Sequence, residues 1–195
     1  MSIQPKKTTV DDGIVVFKEI LETASGGFRL DTTGLVADSY VPKGSPIGFN
    51  EATRVATVQI TAELYADATN TATTYQVKKG HLFAVGKYLA QVAGGKAYAI
   101  TAIDTSNANY DVLTVDTTLG VALVAGDVLF ESSATGATAA AYKTTVKGLL
   151  HFDTKVEAGA EISAVIRGTV LARRAPRCNA TIKALIPTII FSESY

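Results

Sequence analysis

The chain has 195 residues, 47% of them apolar, and its 18 basic and 18 acidic side chains cancel to a formal net charge of zero. That length supplies one sizeable core, or a core with a small inserted unit, and no run of about 18 apolar residues offers a membrane-spanning helix. The charge balance argues against a general nucleic-acid binder, which needs a basic surplus to displace counterions from phosphates, and against an acidic disordered tail.

Trp is absent, Met occurs once, and Val, Ile and Thr crowd the apolar runs. β-Branched side chains suit a pleated, half-buried surface better than a helix, so the chain reads as mostly β. Residues 1–13 read as a flexible polar arm that carries Pro5, Lys6 and Lys7 and ends at the turn signal Asp11-Asp12-Gly13. Its two lysines have no apolar stretch behind them, so the arm does not read as a secretory signal. Residues 14–75 read as an N-terminal β-rich region. Ile14 to Leu21 suits either a strand or a short helix, and Ser25-Gly26-Gly27 ends it. Leu35 to Val41 runs into a turn between Pro42 and Pro46, where two prolines fix φ and remove ladder donors. Arg54 to Tyr65 contains an alternating strand with Val58, Ile60, Ala62 and Leu64 on one face, and a polar loop follows from Asp67 to Thr74.

Residues 76–195 read as a second β domain, opened by a turn and strand over Val77 to Val85. Within it, residues 97–124 read as a hairpin-rich insertion. Tyr98 to Ile103 and Asp111 to Asp116 alternate across the polar loop Thr105 to Asn109, and Thr117 to Gly120 then turns into Val121 to Val124. Ser132 to Ala141 is a small-residue loop. Gly44, Gly80, Gly126 and Gly168 each stand just before an apolar run without a fixed period. That predicts strands entered through tight turns in a compact Greek-key or barrel-like arrangement, not a solenoid or propeller. Ala180 to Leu185 is the one late helix candidate, stopped by Pro187.

The residues that could carry chemistry do not form a convincing set. His81 and His151 are the two histidines, and the one acid near either in sequence is Asp153. Asp104, Asn107, Asn109 and Asp111 are rich in oxygen but lack the glycine and the closing bidentate glutamate of a calcium loop, so they read as turn formers. Gly94-Gly95-Lys96 lacks the rest of a phosphate loop, and Ser45 in Gly44 to Gly48 is misplaced for a nucleophile elbow. Cys178 cannot form an internal disulfide, which points to synthesis in a reducing cytoplasm. Arg173, Arg174 and Arg177 could lower the Cys178 pKa, but an incidental thiol beside an exposed bend is the preferred reading. That bend is the densest charge cluster of the chain, and guanidinium groups match carboxylates on an acidic protein surface.

Three C-terminal runs carry a resemblance: Lys147-Gly-Leu-Leu-His-Phe-Asp153, Ala164-Val-Ile-Arg-Gly-Thr-Val-Leu171 and Ile182-Lys-Ala-Leu-Ile-Pro-Thr-Ile-Ile-Phe191. They resemble the head decoration proteins of tailed bacteriophages, the family of the small trimeric capsid-stabilising protein of lambdoid phages. In that family a Gly-led apolar strand, a strand with Arg or Lys before Gly, a short helix and a final strand follow in this order. Lys79-Gly80-His81-Leu82-Phe83-Ala84 matches the family's opening turn and strand. The resemblance covers about residues 76–191, with 97–124 as an insertion and residues 1–75 without counterpart in the smallest members.

The resemblance implies a compact β-barrel or tulip-like decoration domain that forms a homotrimer on the outside of the virion. It implies the major capsid protein as partner, with no enzyme activity, cofactor, metal, direct nucleic-acid contact or membrane contact. Arg173, Arg174, Arg177, Lys6 and Lys7 are the expected capsid or subunit contacts, and the polar arm could add a strand to a capsid subunit. The competing readings are a β-sandwich recognition module such as a head-fibre or carbohydrate-binding domain, an envelope hydrolase, and the shell-forming capsid protein itself.

Overall fold

The computed structural model describes residues 9–10, 13–24 and 27–194, and Lys6 and Lys7 lie outside them. Strand is the dominant regular structure of the described residues, with one short helix. The first strands in chain order are β1 (Thr9–Val10), β2 (Phe17–Thr23), β3 (Phe28–Leu30), β4 (Tyr40–Val41), β5 (Pro46–Asn50) and β6 (Val55–Val58). Next come β7 (Thr61–Glu63), β8 (Thr74–Lys78), β9 (Tyr88–Ala90), β10 (Ala97–Asp104), β11 (Tyr110–Val115) and β12 (Val128–Ser132). The last are β13 (Gly148–Leu150), β14 (Asp153–Lys155), β15 (Glu161–Ile162), β16 (Ala164–Leu171), helix α1 (Ala180–Leu185) and β17 (Ile189–Ser192).

Eight strands form a mixed sheet in the order β15-β3-β6-β5-β13-β16-β17, with β2 also paired to β16. The β3–β6 and β16–β17 pairs are parallel. A second sheet, antiparallel throughout, runs β7-β12-β9-β10-β11-β8. Its first and last strands meet again where Leu64 pairs with Val77 and the Tyr65 N–H donates to Gln76 O at 2.8 Å, so this sheet curls onto itself. A small sheet β1-β14-β4 anchors Thr9 and Val10 of the N-terminal arm to Thr154 and Asp153.

The link between the two large sheets is legible in the alternation. Val58, Ile60, Ala62 and Leu64 are all buried, as that pattern predicts. Between β6 and β7 the chain changes sheets at Gln59, a fully buried amide that satisfies itself on both sides. Its Nε2 donates to Glu131 O at 2.9 Å, while its Oε1 accepts from Lys143 N at 2.8 Å. One apolar core therefore spans both sheets, from Phe28, Ile47 and Val58 to Tyr75, Leu89, Leu113 and Leu129. A second cluster, including Val16, Leu149, Val170, Ile182, Ile186 and Ile189, packs α1 against β16 and β17.

Three expectations change in detail. The hairpin β10–β11 forms as predicted, with Ile103 opposite Leu113, but the sheet it joins draws strands from Thr61 to Ser132. The reason is pairing: β8 lies against β11, and β9 joins β10 to β12. After Gly80 no strand starts at Leu82; it starts at Tyr88. The intervening donors are satisfied elsewhere, Phe83 N–H by the His81 ring at 3.2 Å and Gly86 N–H by Ile100 O at 2.8 Å.

Of Ile14 to Leu21, the part from Phe17 onward resolves as strand, because β2 finds a ladder on β16. Gly168 is not a turn residue but lies inside β16, directly under β2. A Cβ there would overlap Glu19 O and reach 3.2 Å from Ile20 Cα, both backbone atoms that cannot swing away. Gly168→Ala is expected to destabilise by about 1–3 kcal/mol through this overpacking. Urea unfolding followed by circular dichroism checks it, and an unchanged midpoint would contradict the close crossing of β2.

Candidate functional site: a basic cleft

The predicted basic bend falls between β16 and α1, and the fold sets it against two segments about a hundred residues away. Thr61 to Glu63 of β7, the turn Lys78 to His81 and the bend Arg173 to Arg177 enclose a cleft of about 280 Å³, with Pro42 also on its wall. Arg173, Arg174 and Arg177 are thus brought together, as expected. Lys78 and Lys79 join them, and sequence spacing alone did not place these on the same surface.

Arg177 is the pivot. Its Nε donates to Glu63 Oε2 at 3.1 Å, and its Nη1 donates to both Glu193 oxygens at 3.1 Å. Burial opposes its charge, yet the carboxylates of Glu193 and Glu63 outweigh that and raise the guanidinium pKa. The Arg177 hydrogen bond in turn lowers the Glu193 pKa. Lys78 Nζ sits 2.8 Å from Glu63 Oε1, and Lys79 Nζ 2.6 Å from Asp111 Oδ1. Arg173 stays mostly exposed, its Nε 3.9 Å from Glu193, while Arg174 Nη1 donates to the Val15 carbonyl at 3.3 Å. Lys183, off the cleft wall, also approaches Glu193 at 3.9 Å. Five cations line the cleft (Lys78, Lys79, Arg173, Arg174, Arg177), and three acids (Glu63, Asp111, Glu193) pair with four of them, so the cleft has a positive surplus.

His81 lines the same cleft and has a partner that lies thirty positions on in sequence. Its Nε2 is 3.3 Å from Asp111 Oδ2, in ion-pair range but not aligned as a hydrogen bond. Its Nδ1 accepts the Phe83 N–H, so that nitrogen carries no proton. Both ring nitrogens are turned to protein groups, leaving none directed at a molecule in the cleft. A histidine acting as general base needs one nitrogen within reach of the proton it abstracts. The buried His81–Asp111 pair is therefore a brace for the Lys78–His81 turn.

Burial lowers the His81 pKa, with Asp111 pulling the other way, and burial lowers that of His151, which stacks on Phe152 at 3.7 Å. A folded-state histidine pKa below the unfolded value means that the unfolded chain binds more protons as the solution acidifies. Stability from these two sites is complete above the ordinary histidine range and is lost as pH falls through the lowered folded-state values. Melting temperature is expected to drop between pH 7 and pH 5, and less so in a His81→Gln, His151→Gln variant. An identical pH slope for the two proteins would contradict this assignment.

The remaining candidates resolve as structural. Asp104 accepts from Ser106 N–H and Asn107 from Asn109 N–H, each at 2.9 Å, while Asp111 faces Lys79 and His81, so the oxygen cluster disperses. Among the described residues no three His, Cys, Asp or Glu side chains group to hold a metal. Cys178 is buried, and burial pushes its thiol pKa up to about 12, so the neighbouring arginines do not activate it. Ser45 donates its hydroxyl to Pro42 O at 2.7 Å and serves its own turn. Comparison of the chain with known protein-family models, with curated proteins and with solved structures finds no significant match.

Proposed function

We propose that the chain is a structural virion protein that binds the outer surface of a tailed-bacteriophage head and stabilises it by bridging capsid subunits. The observation that carries this reading is the order of elements behind the resemblance. A Gly-led strand (Gly148–Leu150), a strand with Arg167 before Gly168 (Ala164–Leu171), a short helix (Ala180–Leu185) and a final strand (Ile189–Ser192) follow one another. The resemblance implies that order. The last three pack together, β17 parallel to β16 with α1 between them in sequence, which gives the segment a physical unity beyond its sequence pattern.

A docking role also suits the cleft chemistry. Its exposed arginines and lysines offer charge-assisted contacts, and His81 is braced instead of poised. In this reading three copies gather about a threefold point of the shell. A standard contact buries ~1,600 Å², and a trimer converts its second and third attachments into intramolecular events. The decisive property is stabilisation of the shell. Adding the purified protein to undecorated expanded heads is expected to raise the temperature at which they disrupt in a calorimetric scan. Heads that disrupt at the same temperature with and without saturating protein would remove the basis for this function.

One observation favours a second reading, a recognition module displayed on the virion. Tyr65 and Tyr110 lie with ring centroids 5.0 Å apart, and Tyr65 is exposed. Paired aromatic faces are a common platform for sugar rings. Glycan-array binding lost on Tyr65→Ala, together with no effect on heads, would make this the better account.

A further inference from the structure

We infer that the basic cleft is the receptor for an acidic, extended segment of the partner protein, whose carboxylates enter between the Arg173–Arg177 bend and the Lys78–Gly80 turn. This rests on the docking reading above and deepens it by naming what the cleft recognises. Three observations carry it. The first is the charge surplus of five lining cations over the three acids that pair with them, with Arg173 and Lys78 largely exposed. The second is that the site already demonstrates its preferred ligand: Arg177 is held by carboxylates on two sides, Glu63 and Glu193. An incoming carboxylate can therefore join or exchange within geometry that the fold has set in advance.

The third observation is the wall. Pro42, Ala62, Ala175 and Pro176 line the cleft between the cations, giving small apolar surfaces on which a peptide backbone and short side chains can lie. Arginine clusters that read acidic motifs combine such features. A polyphosphate strand is the less favoured occupant, because the chain as a whole has no net positive charge to draw it in.

The probe is a fluorescein-labelled decapeptide of alternating glutamate and alanine, read by fluorescence anisotropy against the full chain. Controls are the glutamine version of the peptide and a labelled ten-nucleotide oligo(dT). The glutamate peptide is expected to bind, the glutamine peptide not, and binding to weaken as salt rises from 50 to 200 mM. The Arg173→Ala, Arg174→Ala double variant and Lys78→Glu are each expected to weaken it at least about tenfold. Unaltered melting curves for these surface variants would show that they remain folded. Absence of glutamate-peptide binding, equal binding by the glutamine peptide, or tighter binding of oligo(dT) would each overturn the inference.

A second arm separates this inference from the function it rests on. If the wild-type chain and the double variant coat heads equally well, the cleft is not the receptor and the decoration role stands. If the glutamate peptide binds but heads are never coated, the cleft keeps its acidic ligand and the decoration role falls.

Discussion

Replacing Glu131 with alanine is expected to remove about 3–5 kcal/mol of stability, a large share of what holds a domain of this size together. Glu131 stands on β12 with its side chain only 7% exposed, and its Oε1 lies 2.8 Å from the ammonium group of Lys87, itself 8% exposed. Lys143 approaches the same oxygen at 3.5 Å. Gly34 lies over both ammonium groups, 3.3 Å from Lys87 Nζ by its ideal Cβ position. Two cations thus depend on one carboxylate beneath the Thr33–Gly34 loop. Removing it leaves Lys87 buried without a counter-charge, and that desolvation cost, more than the lost attraction, sets the size of the effect. Replacing Glu131 and Lys87 together with leucine is expected to recover much of the loss, because Lys143 still reaches solvent. Chemical denaturation of the two variants tests this. An alanine variant within about 1 kcal/mol of wild type would mean that water, not Glu131, serves these lysines.

The second large effect is expected at Phe28, where truncation to alanine should cost about 3–5 kcal/mol. Phe28 is 2% exposed on β3, its ring 4.6 Å from that of Phe49 on β5. The Arg54 guanidinium also lies over the Phe28 ring, 4.4 Å from its centroid, reached from a left-handed backbone position (φ 55°) at the turn into β6. β3 pairs with both β15 and β6, so the cavity would loosen a junction of three strands. Loss of stability should appear in circular dichroism and in tyrosine fluorescence together. Loss of less than about 1 kcal/mol would show that this end of the mixed sheet closes without the ring.

The parts of this architecture that were legible in the sequence are those decided by local pattern. Alternation from Val58 to Leu64, the Tyr98–Asp116 hairpin and the Ala180–Leu185 helix stopped by Pro187 all depend on neighbours nearby in sequence. Positions decided by distant partners were not legible. Ile14 to Leu21 had both periodicities until β16 supplied a ladder, and Gly168 had the sequence look of a turn although it admits the crossing of β2. The extent of the curled sheet was hidden for the same reason, since β8 and β11 pair across more than thirty residues.

The cleft shows the same division. Arg173, Arg174 and Arg177 announced themselves as a charge cluster, but Lys78, Lys79 and Glu63 did not, because β7, β8 and the bend converge only in three dimensions. His81 is the sharpest case: its partner Asp111 was visible only as one of four turn-forming oxygens. Two lysines next to a turn glycine were the one available hint.

The most direct test of the central claim, that this protein coats a phage head from outside, is cosedimentation with expanded heads that lack it, with solution mass measured on the same preparation. The account predicts that the protein pellets with heads to a saturable number of copies per capsid subunit, and that its free form weighs about three times 20.4 kDa. A protein of 20.4 kDa that stays in the supernatant at every concentration and salt tried would contradict it.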